Sequence, residues 1–170
     1  MSNLRCRHLL ALALAGAAGL VAHGPATAAV ADGGERKRPV AIVAREPAPT
    51  LGERAARIAL AAVGTPYRYG GESPGVGFDC SGLVRWSYGR LGVDLPHSSY
   101  ALAREGRGVG TGDLEAGDVL VFAGLGHVGL YLGDGRMVHA PQSGRLVEVV
   151  NLGRAGYRGR LVGARRVGAA

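Results

Sequence analysis

The fold of this chain is decided by HVGLYLGDGRMVHA, residues 127–140. Two apolar runs flank a glycine-rich centre, and this pattern predicts two antiparallel strands joined by a tight turn. A three-residue turn over 133–135 pairs Leu132 with Arg136 and gathers the leucines and valines on one face. A two-residue turn would shift the pairing by one residue and place His139 among the leucines, so the three-residue turn is predicted.

The same pairing places both histidines of the hairpin on one face. His139 falls opposite Gly129, which leaves space for a ring, and His127 is the diagonal neighbour at about 7 Å between backbones. Two imidazoles at that separation can meet. The other face carries the side chains expected in the core, namely Val128, Leu130, Leu132, Val138 and Ala140.

Three helices are predicted before the hairpin. Residues 50–53 fit a capping box at a helix start, and apolar residues then recur at helical spacing until Gly64 ends the helix. A second helix is expected over 80–90. A third, short helix over 98–105 is expected to be capped by one of its first two serines.

The pattern changes after residue 117 to short apolar runs separated by glycine. Besides the hairpin there are three such runs, over 118–123, 146–150 and 161–167. They predict strands of a mainly antiparallel sheet. Helices followed by strands are typical of an α+β domain, with the N-terminal helices packed on one side of the sheet.

The first 50 residues differ from the rest. Basic residues, an apolar run and a small-residue site ending at Ala28 predict a secretory signal peptide, residues 1–28. That apolar run is shorter than the about 20 residues of a membrane-spanning helix, so no stable span is expected after signal removal. Residues 29–50, which contain glycines, prolines and a basic trio, are expected to form a flexible linker. The folded domain is expected over 51–168.

Charge restricts the expected partners. Removal of Arg5 and Arg7 with the signal leaves 18 basic and 13 acidic residues, a net charge of +5. This charge favours anionic polymers. Nucleic acid is not expected as a partner, because the chain is exported and only 5% of its residues are aromatic. We expect a monomer.

The signal prediction leaves one cysteine in the mature chain. Cys6 leaves with the signal, so Cys80 has no intrachain disulfide partner. Cys80 falls in the first turn of the second helix, where free N–H groups and the helix dipole favour a thiolate. A buried, inert thiol is the alternative.

Three histidines remain as candidate bases for Cys80. His97 lies in a loop, whereas His127 and His139 share a face of the hairpin. This predicts that Cys80 attacks, that His127 takes its proton and that His139 orients the His127 ring. Zinc needs three or four ligands, and the nearby carboxylates add no recognisable ligand spacing, so neither a metal nor another cofactor is expected.

Five motifs in order make the chain resemble the NlpC/P60 family of cysteine peptidases. The resemblance covers about residues 51–167. The motifs are GTPYRYGG (64–71), FDCSGLVRW (78–86), LEAGDVLVF (114–122), HVGLYLGDG (127–135) and MVHAP (137–141).

This resemblance implies a papain-like α+β fold with a Cys-His-His site, formed here by Cys80, His127 and His139. It also implies a secreted enzyme that acts at the cell wall or outside the cell and cleaves peptidoglycan stem peptides. The implied bond joins the γ-carboxyl of D-glutamate to the diamino acid that follows. Anionic wall polymers are a further expected partner.

The resemblance implies substrate contacts for three more residues. The Tyr67 hydroxyl is expected to help hold the acyl oxyanion. Asp79 and Ser81 flank the nucleophile and are expected to bind a free stem-peptide amine. From the residues alone other roles stay open, since Tyr67 can pack, Asp79 can cap the helix and Ser81 can satisfy a local backbone group.

Two other functions stay open at this point. One is an amidase or acyltransferase on the same scaffold. The other is a non-catalytic module that binds the cell wall, against which the presence of all three polar site residues argues.

Overall fold

The computed structural model describes residues 47–154 and 156–168. The predicted signal peptide and residues 29–46 of the predicted linker lie outside this part of the chain. The helices are α1 (Leu51–Leu60), α2 (Cys80–Gly89), α3 (Ser99–Leu102) and a 3₁₀-helix (Arg158–Arg160). The strands are β1 (Glu72–Ser73), β2 (Gly77–Phe78), β3 (Arg107–Val109), β4 (Val119–Phe122), β5 (Val128–Gly133), β6 (Arg136–His139), β7 (Glu148–Asn151) and β8 (Leu161–Arg166). Among the described residues, no helix has the length and apolar character of a membrane span.

Local sequence signals fix the helix starts. The capping box is present, because the Thr50 hydroxyl accepts from the Glu53 N–H at 3.1 Å and the Glu53 carboxylate accepts from the Thr50 N–H at 2.7 Å. Asp79 caps α2 and Ser98 caps α3. The ends are less well predicted, since α1 stops at Leu60 and α3 is only one turn long.

The main sheet has six strands in the order β3-β8-β4-β5-β6-β7, and every neighbouring pair is antiparallel. This confirms the predicted α+β class. One face packs against the helices through a cluster that includes Ala59 of α1, Leu83 of α2 and Leu130 of β5. The other face carries a second cluster around Phe122 and Met137. The faces of the hairpin are therefore those predicted.

The predicted three-residue turn of the hairpin is wrong. Gly133 pairs with Arg136, so the turn has two residues, Asp134 and Gly135, with φ of 51° and 69°. Positive φ at both positions is typical of a type I′ turn, whose twist suits a hairpin. The register shifts between Tyr131 and Gly133, so one extra residue bulges from β5 and restores the predicted pairing in the rest of the hairpin.

Two small elements were not predicted. The β1–β2 hairpin has two residues on each side, and β3 is an edge strand of three residues with the sequence RGV. Neither has enough apolar alternation to be recognised as a strand. The β1–β2 hairpin leads directly into α2 and so helps to place the start of that helix.

Candidate active site

Cys80 is the first residue of α2 and lies at the edge of the core. The preceding Phe78 is fully buried, and its ring packs against Trp86 of α2 with centroids 5.1 Å apart. The backbone N–H of Val128, the first residue of β5, lies close enough to the Cys80 thiol to lower its pKa. The thiol thus lies between the helix start and the strand that follows His127.

Burial changes the expected acidity of this thiol. It raises the pKa of Cys80 above the ordinary value, and the charge of Asp79 acts in the same direction. The N–H groups of Val128, Ser81 and Cys80 itself lower the pKa but do not outweigh burial. The N–H groups at the helix start therefore favour the thiolate, as expected, but burial outweighs them, and a base must remove the proton.

His127 and His139 form a hydrogen-bonded pair. His127 Nε2 lies 2.9 Å from His139 Nδ1, and the rings meet edge to face with centroids 5.1 Å apart. Gly129 gives them room, since a Cβ at this position would lie 3.2 Å from the His139 Cβ. His139 is fully buried and His127 is half-buried. Among the described residues, neither imidazole is hydrogen-bonded to the Cys80 thiol, and catalytic hydrogen bonds often form only in the complex with substrate.

Four of the six candidate residues line one cavity of about 330 Å³, namely Tyr67, Asp79, Cys80 and Ser81. Gly126, the neighbour of His127, borders the same cavity. A larger cavity of about 440 Å³ lies beside α3, β3 and β8 and contains none of the six. Because chemistry needs reactive groups rather than volume, the smaller cavity is the candidate active site.

Asp79 is held by several groups of its own chain. Its Oδ1 accepts from the Gly82 N–H at 2.7 Å and from the Ser81 hydroxyl at 3.0 Å, and its Oδ2 accepts from the Gly70 N–H at 2.8 Å. His97 Nε2 lies 3.0 Å from Oδ1. Burial alone would raise the pKa of Asp79, but these hydrogen bonds lower it below its usual value. Asp79 is therefore an ionised cap of α2, and Ser81 bonds to this carboxylate rather than to backbone.

His97 contacts the Asp79 carboxylate rather than the histidines of the hairpin. Its Nδ1 lies 3.3 Å from a carboxylate oxygen of Glu72, while its Nε2 faces Asp79. His97 lines the cavity together with Cys80, but its ring is engaged by Asp79 and Glu72. His127 and His139 bond to each other beside the cavity. His97 instead joins the β1 strand to the start of α2.

Tyr67 lines the same cavity as Cys80. Its backbone forms an isolated parallel β-bridge with Phe78, two residues before Cys80. Burial raises the pKa of its hydroxyl, and the negative charges of a Cys80 thiolate and of Asp79 raise it further. The hydroxyl therefore keeps its proton at neutral pH and can donate a hydrogen bond next to the thiol.

A model of the NlpC/P60 family matches residues 64–166. The chain belongs to the NlpC/P60 family. It is 50% identical over 108 residues to a probable endopeptidase of Mycobacterium tuberculosis, covering 62% of this chain and 28% of that protein. It is 39% identical over 110 residues to the gamma-D-glutamyl-L-lysine dipeptidyl-peptidase of Bacillus subtilis, covering 61% of this chain and 37% of that enzyme.

A solved structure shows the same fold. The crystal structure of the NlpC/P60 domain of the peptidoglycan hydrolase SagA matches with a TM-score of 0.61 at 32% identity. The match covers 68% of this chain and 98% of that domain. By contrast, the matched part spans about a third of the length of the curated relatives. The resemblance seen in the sequence is thereby confirmed as family membership.

The NlpC/P60 domain also contains site residues that the sequence analysis missed. Tyr157 stacks on His127 with centroids 6.1 Å apart and meets His139 edge to face at 5.1 Å. Phe122 packs against His127 at 5.6 Å. Phe122 lies in the strand predicted over 118–123 and could have been suspected, whereas Tyr157 lies in a loop without periodicity. Among the described residues, no group of three or more His, Cys, Asp or Glu side chains is arranged to hold a metal ion.

The histidine pair of the NlpC/P60 domain is neutral at physiological pH. The pKa of both imidazoles is lowered to about 4, chiefly by burial, and the charge of His139 contributes to the lowering at His127. A neutral imidazole has a free lone pair and can accept a proton. His127 is therefore available as a base for the Cys80 thiol.

The same pKa values predict a loss of stability in acid. An unfolded histidine binds a proton below about pH 6.5, whereas the folded pair does so only near pH 4, so the free energy of unfolding falls between these values. For the fully buried His139 the loss is on the order of 3 kcal/mol. Denaturant titrations from pH 7 to 4 measure it, with His139→Gln as the comparison. An equal loss in wild type and variant would mean that other groups cause the acid sensitivity.

Proposed function

We propose that this protein is a secreted cysteine endopeptidase that hydrolyses peptidoglycan stem peptides. The proposed bond joins the γ-carboxyl of D-glutamate to the diamino acid that follows. The observation that carries the proposal is Cys80 at the start of α2, on a cavity that Tyr67 also lines, with a neutral imidazole pair in the adjoining hairpin. The similarity to the gamma-D-glutamyl-L-lysine dipeptidyl-peptidase of Bacillus subtilis and to the peptidoglycan hydrolase SagA supports the substrate class.

Acylation starts with transfer of the Cys80 proton to His127 Nδ1. The Nε2 of His127 is engaged with His139, so Nδ1 is the atom left to accept. The sulfur attacks the carbonyl carbon of the scissile bond, and the oxyanion is stabilised by the Cys80 N–H and the Tyr67 hydroxyl. The C–N bond then breaks, and the His127 imidazolium donates its proton to the departing amine.

Deacylation uses the same groups with water as the nucleophile. Neutral His127 takes a proton from water, and the resulting hydroxide attacks the thioester carbonyl. The C–S bond breaks and the thiolate regains its proton from His127. The product leaves as a carboxylic acid, which loses its proton to the surrounding water. His139 accepts the Nε2–H of His127 throughout and so keeps its ring in place. Asp79 and Ser81 border the cavity and are proposed to contact the stem peptide near its amine end.

The proposed organisation places this chemistry outside the cytoplasm. Residues 1–28 act as a signal peptide, residues 29–50 as a linker and residues 51–168 as the catalytic domain. The net charge of +5 left after signal removal favours contact with anionic wall polymers. The protein works as a monomer, without a cofactor.

Tyr67→Phe tests the proposed oxyanion contact. Loss of one hydrogen-bond donor is expected to lower kcat about 10- to 100-fold while KM changes little, because the contact forms only as the oxyanion develops. Steady-state kinetics on a soluble muropeptide measure both constants. A raised KM with unchanged kcat would instead assign Tyr67 to ground-state binding.

Turnover and thiol labelling together test the proposed function. The mature chain, residues 29–170, is incubated with soluble muropeptides, and in parallel with an iodoacetamide probe. Endopeptidase fragments together with labelling of Cys80 are the expected result. If Cys80 is labelled and whole stem peptides are released from the sugar, the protein is an amidase. If Cys80 is labelled and the acyl group is transferred to an added amine, it is an acyltransferase. Muropeptide binding with neither turnover nor label indicates a wall-binding module.

A further inference from the structure

A buried nitrogen of the site has no hydrogen-bond partner. His139 is fully buried, and its Nε2 is without a partner among the described residues. Glu148 of β7 lies directly across from His139 of β6, and a carboxylate oxygen of Glu148 lies 3.7 Å from this nitrogen. That distance exceeds a hydrogen bond, so the resting contact is electrostatic. An unsatisfied polar atom in a buried site calls for an explanation.

The positions of the ring protons explain why His139 Nε2 faces Glu148. For His127 to accept a proton at Nδ1, its own proton must be on Nε2, which lies 2.9 Å from His139 Nδ1. His139 Nδ1 must then be the acceptor, so the proton of the neutral His139 ring is on Nε2. This N–H points to the side where Glu148 lies. The base function of His127 thus depends on one tautomer of His139.

Glu148 is itself held in place. The guanidinium of Arg145 donates to both of its carboxylate oxygens, at 3.0 and 2.9 Å. The backbone carbonyl of Arg145 accepts from the Tyr67 N–H at 2.9 Å, which ties this segment to the cavity wall. Both bonds come from the same nitrogen, Nη2, and this charge-assisted contact holds the carboxylate close to Arg145.

The charged groups near the histidine pair also indicate a role for Glu148. Arg145 and Arg160 both disfavour a positive charge on the pair, and Tyr157, which faces both rings, is neutral at pH 7. Glu148 is the acidic group across from His139, and its charge favours the imidazolium that forms during acylation. When His127 takes the thiol proton, the Glu148 carboxylate is placed to stabilise the pair through His139.

We propose that Glu148 is a positioning residue that extends the site to Cys80-His127-His139-Glu148. It holds His139 in the tautomer protonated on Nε2 and stabilises the imidazolium of the pair during catalysis. The inference rests on the proposed function of the same site and adds a residue from a different strand. Glu148 touches neither substrate nor thiol, so its effect is exerted through His139.

Two variants separate the charge of Glu148 from its shape. Glu148→Gln keeps the size and an acceptor oxygen but removes the charge, and Glu148→Leu removes both. The matched control is Asp134→Asn, the same acid-to-amide change at the hairpin tip, where the side chain is 89% exposed and asparagine tolerates the positive φ. A strand rises about 3.3 Å per residue, so the hairpin tip lies about 20 Å from His127 and the control change is remote from the histidine pair.

The kinetic test uses kcat, KM and the pH dependence of kcat/KM on a soluble muropeptide. Glu148→Gln is expected to lower kcat about tenfold with KM unchanged, a typical loss for a group that orients a reacting residue. Loss of a neighbouring negative charge destabilises the imidazolium, so the acidic limb of the profile should move to lower pH. Glu148→Leu should lower kcat further, and Asp134→Asn should match wild type. A Glu148→Gln profile and rate equal to wild type would overturn the proposal.

Nitrogen-15 NMR of the histidine rings tests the tautomer without any substrate. In wild type and Glu148→Gln at pH 7, His139 is expected to be protonated on Nε2, whereas in Glu148→Leu the Nδ1–H form should gain population. If His139 has the same tautomer in all three proteins and the rates also agree, Glu148 has no positioning role. If wild type cleaves nothing but the tautomer shifts in Glu148→Leu, the proposed function fails while the link from Glu148 to His139 stands.

Discussion

Cys80→Ala is expected to lower the rate of stem-peptide cleavage by about 10⁴-fold or more, because no other group can form the thioester. Within the described residues Cys80 is the only free cysteine, and it borders the candidate cavity. The side chain is partly buried at a helix start, where alanine is compatible with the helix. The fold should therefore survive the change.

Initial rates from chromatography of muropeptide products measure this loss, and thermal unfolding checks the fold. Cys80→Ser is the closer control in shape, since it replaces only the sulfur by oxygen. It should also lose most activity, because a hydroxyl is far less acidic than a thiol and His127 is a weak base. Cleavage by Cys80→Ala at more than a hundredth of the wild-type rate, from a pure preparation, would exclude Cys80 as the nucleophile.

Replacing His127 with glutamine is expected to lower kcat about 10²- to 10⁴-fold at pH 7. The reason is the raised pKa of Cys80, since burial keeps the thiol protonated in the absence of a base. The residual activity of the variant should rise with pH as hydroxide takes over the deprotonation. The wild-type rate should change much less over the same range, because neutral His127 is already available.

A pH series of kcat from 6 to 9 for wild type and His127→Gln tests this expectation. His127→Ala with added imidazole is a second test, because a free imidazole can enter the space left by the ring and act as the base. Rescue by imidazole but not by an equal concentration of sodium chloride supports the assignment. A variant with wild-type kcat and no change in its pH dependence would show that another group is the base.

Local patterns explain what could be predicted from the sequence. The capping box at Thr50 and Glu53 depends on residues three apart, and the alternation along the 127–140 hairpin assigns every side chain to a face. The meeting of His127 with His139 follows from that alternation, so it was accessible without a structure. Where a feature depends on near neighbours in the chain, the sequence was sufficient.

Features that depend on distant residues were not accessible. The bulge in β5 shows only in the pairing of that strand with β6, and β3 exists only because it pairs with β8, more than fifty residues away. The raised pKa of Cys80 follows from burial by other elements, which a helix position does not reveal. Glu148 and Tyr157 reach the histidine pair from a later strand and a loop, and neither carries a recognisable motif.

The central claim is hydrolysis of the bond after D-glutamate by Cys80, and tandem mass spectrometry of the products tests it most directly. The mature chain and its Cys80→Ala variant are each incubated with soluble muropeptides of known sequence. We expect fragments from the wild type alone, with a new carboxylate on D-glutamate and a new free amine on the diamino acid. Fragments split at another bond, or the same fragments from Cys80→Ala, would contradict the claim.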